Sequence, residues 1–182
     1  MTNRSKDTLL RVGKTLARIL QGLCAIAAVG FLLLIPLAIL ASLDALPDST
    51  GLNDLPLFEA AALPVVGIGI LIVASLAALF LFFGKMRAII TSAGEGDPFI
   101  PENAERLNAM AWLLLAYEVA AVLVGFLRLR AANLVDGTDR GPGALDFSIY
   151  DLEGPFLILV LFILARIFKI GAAMRRDLEG TV

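Results

Sequence analysis

One acidic side chain, Glu118, lies inside a long apolar run that extends from Leu107 to Leu127. A carboxylate is costly inside a bilayer, so an ionisable residue there usually has a charged partner or moves protons or ions. At about 1.5 Å per residue, Glu118 and Arg166 lie at similar depths in their helices, which makes Arg166 the expected partner. Three interpretations are open: an ion pair between them, an Arg166 that extends to the membrane surface instead, or proton or ion coupling by Glu118.

A second distinctive stretch is polar and extends from Gly94 to Arg106, and we call it the central turn. Pro101 suits the first position of a helix, so we expect a helix from Pro101 to about Leu129. Glu102 lies in its first turn, where the helix dipole favours negative charge, and four residues before Arg106, with which it is expected to pair.

The central turn is either a well-punctuated loop or a loop that also docks a partner protein. Phe99 is apolar in polar surroundings, and we expect it to tuck against the membrane surface or a neighbouring helix end. Stiffening by prolines reduces the entropy lost on association, which favours docking. The candidate docking residues are Asp97, Pro98, Phe99, Pro101, Glu102, Asn103 and Arg106.

Other functional classes lack the residues they need. The chain has no histidine, the commonest metal ligand and general base, and its single cysteine, Cys24, lies in an apolar run. The net charge of −2 does not suit a nucleic-acid-binding surface, which would be basic. We therefore predict a non-enzymatic protein with no catalytic, cofactor or metal site and no direct binding of nucleic acid.

The elements that carry these residues are long and apolar. Of the 182 residues 59% are hydrophobic and the mean hydropathy is +0.87, against about 45–50% apolar residues in soluble domains. Four runs are long enough to cross a bilayer, at about 19–43, 60–84, 107–127 and 154–174. We predict one all-α domain over residues 1–182. It is expected to be an integral membrane four-helix bundle, with the lipid bilayer as a binding partner.

Two local patterns add detail to this bundle. Leu145, Phe147 and Ile149 alternate with polar residues and predict a short extended segment between the last two spans. Small residues recur four apart in the third span, at Ala116 and Ala120 and at Ala121 and Gly125, a pattern compatible with a homodimer.

The distribution of Lys and Arg predicts the orientation. The N-terminal flank, the central turn region and the C-terminal segment together carry twelve of these residues, and the other two loops carry three. Basic residues accumulate on the cytoplasmic side, so both termini and the central turn are predicted to be cytoplasmic. The N-terminal basic segment either forms a helix along the membrane surface or only fixes this orientation.

Two passages carry a family resemblance: Gly-Asp-Pro-Phe-Ile-Pro-Glu-Asn-Ala-Glu-Arg-Leu at 96–107, and the ending from Ala165 to Val182. With four spans, they resemble a family of small bacterial membrane proteins catalogued as domain of unknown function 2975. The resemblance implies a multi-pass protein of the bacterial inner membrane. Members are often encoded beside a small helix-turn-helix regulator, which implies a cytoplasmic DNA-binding partner docked at the central turn and the tail from Arg175 to Val182.

Two functions are therefore expected. The first is a regulatory or interaction partner, possessing no enzymatic activity, that binds a cytoplasmic regulator. The alternative is a small transporter, or a transporter subunit, that uses the intramembrane acid Glu118.

The predicted orientation can be tested with topology reporters. A reporter fused after Val182 or inserted at Glu95 should give a cytoplasmic signal. Insertions near Ser49 and Gly137 should give extracytoplasmic signals, and a cytoplasmic signal at Ser49 would contradict the arrangement of four spans.

Overall fold

The computed structural model describes residues 3–43, 45, 56–141 and 152–179, and four long helices account for most of them. They are α1 (Asn3–Ser42), α2 (Pro56–Gly94), α3 (Pro101–Asp136) and α4 (Glu153–Glu179). The described part of the chain contains no strand, which confirms the predicted all-α fold. The predicted extended segment at Leu145, Phe147 and Ile149 lies outside the described residues.

Each helix packs closely only against its neighbour in the sequence. Close contacts join α1 to α2, α2 to α3 and α3 to α4, and within the described ranges no others join the helices. The bundle is therefore open, and α1 and α4 do not meet. All four helices are long and apolar enough to cross a membrane, and large apolar side chains are exposed along each of them. Lipid tails can cover such surfaces, and the chain is a multi-pass membrane protein.

Helices α1 and α2 pack antiparallel and keep the same register along their length. Leu10 packs against Gly94 at one end, and Ile35 packs against Gly69 further along the pair. The side-chain amide of Gln21 donates a hydrogen bond of 3.4 Å to the carbonyl oxygen of Phe80 between these contacts. The basic N-terminal segment is thus the first part of α1, packed on α2, and not a separate surface helix.

Prolines affect the two helices differently. Helix α1 continues through Pro36 to Ser42. Helix α2 begins at Pro56 and has a kink at Ala61, whose φ of −131° and ψ of 27° are not helical. Pro64 explains this kink, because it has no N–H for the preceding turn and its ring crowds the carbonyl four residues earlier.

Helix α3 begins at Pro101, as the sequence predicts, but it extends to Asp136, beyond the predicted end near Leu129. The residues after Leu129 include no helix breaker before Gly137, which adopts a left-handed conformation with φ of 64° and donates its N–H to the Asn133 carbonyl. Asn133 is buried, and its side-chain amide bonds both the carbonyl oxygen and the N–H of Arg140, at 3.0 and 3.2 Å. The residues between Leu129 and Gly137 therefore belong to α3 and not to the following loop.

The buried core lies between α3 and α4, on the side of the central turn. Its members share aliphatic, uncharged side chains and are Leu107, Met110, Ala111, Leu114, Ile158, Leu161 and Ala165. Phe82, Met86 and Ile89 of α2 pack against this cluster and join α2 to the α3–α4 pair. The core thus lies beside the central turn and supports it.

Candidate functional site

Asn103 is the most deeply buried polar residue of the central turn, with an exposed fraction of 0%. Its side-chain N–H2 group donates to the Ser92 hydroxyl at 2.7 Å and to the Pro98 carbonyl oxygen at 2.8 Å. Its amide oxygen accepts a hydrogen bond of 2.7 Å from the Arg106 guanidinium. One amide therefore ties the last turn of α2, the connecting loop and the first turns of α3 together.

Ser92 completes this arrangement from α2. Its hydroxyl lies within hydrogen-bond distance of the Ile89 carbonyl oxygen, at 3.0 Å, and of the Asn103 amide oxygen, at 3.1 Å. A hydroxyl has one proton, so it serves one of these acceptors at a time while it accepts from the amide of Asn103. Both residues are buried with their hydrogen-bonding groups satisfied, which is the condition for stable burial of polar groups.

Phe99 connects the central turn to α4. Its ring packs on Phe168 with 5.0 Å between the ring centroids, and its Cδ1 atom lies 2.8 Å from where a Cβ would stand on Gly171. A larger residue at 171 would therefore displace the ring. Phe99 remains 43% exposed, so one part of the ring packs inward and the rest forms surface. Phe99 therefore packs on a neighbouring helix, but its contacts lie about two to three turns before the end of α4 and not at the helix end that the sequence suggested.

Asp97 makes a second connection to α4 through an ion pair with Arg175. Both side chains are partly exposed, with exposed fractions of 35% and 47%. Exposed pairs of this kind contribute only about 0–1 kcal/mol. The pair therefore fixes the position of the turn on α4 more than it stabilises the fold.

The candidate docking residues divide into a surface and its support. Phe99, Pro101 and Glu102 are exposed, whereas the fully buried Asn103 holds the turn from inside and adds nothing to its surface. Arg106 bonds to Asn103, and among the described residues it forms no ion pair with Glu102, unlike the sequence-based expectation. A hydrogen bond is stronger in buried surroundings than in water, which explains why Arg106 bonds to the buried Asn103 amide and not to the exposed Glu102 carboxylate.

Glu118 lies against the start of α4. Its carboxylate occupies the space that a Cβ would take at Gly154, in the first turn of that helix. The first N–H groups of a helix have no partner within it, and the helix dipole favours a negative charge there. Only glycine leaves room for the carboxylate at this position. Glu118 is half-buried, and within the membrane its carboxylate packs against the first turn of α4.

The structure does not bring Glu118 and Arg166 together. Arg166 follows Gly154 by twelve residues of helix, which places it about 18 Å further along α4. It lines a groove with Glu105 and Asn108 on the side of the central turn. In the described ranges no ion pair joins Glu118 to Arg166. Helices α3 and α4 run antiparallel, and α4 begins level with the middle of the apolar run of α3. The comparison of depths made from the sequence assumed that both helices cross the whole membrane, and it therefore placed Glu118 and Arg166 too close together.

Sequence reasoning gave no structural role to Ser92, Gly154, Gly171 or Phe168, although the last two lie in the passage 165–182 that carries the resemblance and all four position the candidate residues. Their roles depend on contacts between helices, and a glycine or serine near a helix end carries no local signal of such a contact. Among the described residues, no group of three or more cysteine or acidic side chains could hold a metal ion. The arrangement at the central turn can present a rigid surface to another molecule.

The role of Asn103 can be tested by substitution. Asn103→Ala should lower the free energy of unfolding by about 1–3 kcal/mol, because Ser92 and Pro98 lose a buried partner. Asn103→Asp should be at least as damaging, because a carboxylate oxygen would face the Pro98 carbonyl. The measurement is the midpoint of thermal unfolding in detergent, which shifts by about 2–4 °C per kcal/mol. Asp139→Asn, an exchange of the same two side-chain types at an exposed position beyond α3, is the control, and equal midpoints for Asn103→Asp and wild type would contradict this role.

The separation of Glu118 from Arg166 predicts the outcome of a double-mutant cycle. Glu118→Gln and Arg166→Gln should be additive in unfolding free energy within about 0.5 kcal/mol, as for sites that share no contact. A cycle of Glu118→Ala with Gly154→Ala should instead show coupling, because removal of the carboxylate makes room for the new Cβ. A large coupling in the first cycle and none in the second would show that the arrangement at the start of α4 is wrong.

Comparison with known families identifies the chain. Residues 50–182 match the family described as "Protein of unknown function (DUF2975)". The match includes α2, the central turn, α3 and α4, and it confirms the resemblance seen in the sequence. Comparisons with curated proteins and with solved structures found no match. Since the match covers more than half of the chain, the chain belongs to the DUF2975 family of proteins.

Proposed function

We propose that the chain is a non-enzymatic protein of the bacterial cytoplasmic membrane that binds a small cytoplasmic regulator at its central turn. The observation that carries the proposal is the order of this turn in the free chain. Asn103 ties it to α2, and Phe99 and Asp97 tie it to α4. A surface that is fixed before association loses less entropy when a partner binds.

The exposed part of the turn suits such contact. Phe99 is held in place by Phe168 and Gly171 and still presents 43% of its surface. Aromatic anchors in fixed positions carry much of the binding energy in protein interfaces. Pro101 and Glu102 are exposed beside it and add a rigid and a charged contact.

The excess of Lys and Arg on the side of the central turn supports a cytoplasmic location for this surface. The kind of partner, a small helix-turn-helix regulator, comes from the family resemblance. The membrane protein would hold this regulator at the membrane and thereby control the amount that reaches DNA.

A second candidate function is transport, for which the observation is Glu118 in the middle of an apolar run. Its carboxylate packs against Gly154 at the start of α4, where the helix dipole favours a negative charge, and this structural role ranks the partner function first. Proton or ion flux through reconstituted vesicles that required Glu118 would reverse this order.

The partner role can be tested by copurification of a small helix-turn-helix protein with the tagged full-length chain in mild detergent. Phe99→Ala and Glu102→Lys should reduce the amount retained, since each alters the exposed surface outside the apolar runs. Asp139→Ala, an exposed change beyond the other end of α3, should retain as much as wild type. Retention that is unchanged by Phe99→Ala and Glu102→Lys, or absent with wild type, would contradict the docking role of the turn.

A further inference from the structure

A groove with a positive lining lies between α3 and α4 on the side of the central turn. Its volume is about 480 Å3, within the range of roughly 300–1,000 Å3 that is usual for small-ligand sites. Three basic side chains of α4 line it, Arg166, Lys169 and Arg176. They recur at helical spacing along one face, so all three point toward the same side of the helix pair.

These cations are not neutralised within the described part of the chain. The ion pairs Arg140–Asp136 and Arg175–Asp97 of the described residues do not include Arg166, Lys169 or Arg176. Glu105 is the one acidic side chain in the lining, against three basic ones. The groove therefore keeps a net positive charge that suits an anionic ligand.

The position of the groove indicates which anion reaches it. Trp112 is 58% exposed on α3, and its ring meets Phe162 edge to face with 5.6 Å between centroids. Exposed tryptophan is typical of the boundary between hydrocarbon and headgroups. Phe162 also lines the inner end of the groove, and Arg166 and Lys169 follow it by one and two turns. Arg166 and Lys169 thus lie on the headgroup side of this aromatic pair, toward the lipid phosphates, and the apolar end of the groove is directed toward the acyl chains.

From this juxtaposition we propose that the α3–α4 groove binds the phosphate group of an anionic phospholipid in the leaflet on the side of the central turn. Arg166 has the planar group that can bond two phosphate oxygens at once. Lys169 and Arg176 add charge further out, and Asn108 supplies a neutral polar side chain on the opposite wall. This site does not depend on the protein partner proposed above.

The single tryptophan of the chain makes the proposal measurable. Full-length protein is reconstituted in phosphatidylcholine bilayers that contain increasing amounts of brominated phosphatidylglycerol or, separately, brominated phosphatidylcholine. Bromine quenches Trp112 when a labelled lipid occupies the adjacent groove. Wild type should prefer phosphatidylglycerol at least fivefold. Arg166→Gln with Lys169→Gln should abolish this preference, because each basic residue near an anionic membrane surface contributes about fivefold in binding.

Two controls separate the explanations. Arg128→Gln with Arg130→Gln removes the same charge near the far end of α3 and should leave the preference unchanged. Arg166→Lys with Lys169→Arg keeps both charges, should keep the preference, and reports on folding at these positions.

Equal quenching of wild type by the two lipids, or a preference that survives loss of both cations, would overturn the proposal and would leave an acidic protein segment as the ligand class. Loss of the preference on addition of millimolar free glycerol phosphate would show that the ligand is a soluble phosphate and not a lipid.

Discussion

The side-chain amide of Asn103 is the interaction on which the turn side of the molecule depends. It is fully buried, and its bonds to Ser92, Pro98 and Arg106 use both of its donor hydrogens and its oxygen. Buried polar groups that lose a partner cost about 1–3 kcal/mol each, so other conformations of the turn are disfavoured. Once the turn has this shape, Phe99 and Asp97 face α4. The position of α4 therefore follows from a hydrogen-bonded loop and not from apolar packing alone.

Positioning of α4 by polar contacts is what a bilayer environment favours. Lipid tails are as apolar as leucine, so helices gain little from the hydrophobic effect when they associate within the membrane. Close approach at small residues and polar contacts then decide which helices meet. The α3–α4 pair has both, with Gly171 beneath Phe99 at one end and Gly154 beside Glu118 at the other. The same register places the start of α4 level with the middle of the apolar run of α3, and α3 continues about 27 Å beyond that point.

The sequence predicts what local chemistry determines. Four long apolar runs indicate the helices, and Pro101 marks the start of α3. The isolated apolar character of Phe99 predicts that its ring packs on a neighbouring helix, although the contact with α4 lies about three turns before the helix end. The neighbour of Glu118 and the burial of Asn103 could not be predicted, because they depend on the register between helices. In a soluble helix the buried face shows as a periodic apolar stripe. Here lipid and core both accept apolar side chains, so that periodicity is weak and the register leaves little trace in the sequence.

The central claim is that the turn between α2 and α3 is ordered before any partner binds. Amide hydrogen exchange of the purified chain in detergent tests it most directly, because protection reports local opening. The Asp97 N–H bonds to the Ser92 carbonyl at 3.3 Å, and the Asn103 N–H bonds to the Ile100 carbonyl at 3.0 Å. Both amides should exchange far more slowly than in an unstructured peptide, with no partner present. Exchange of both at the unstructured rate would contradict the account, because it would mean that the turn is not ordered in the free protein.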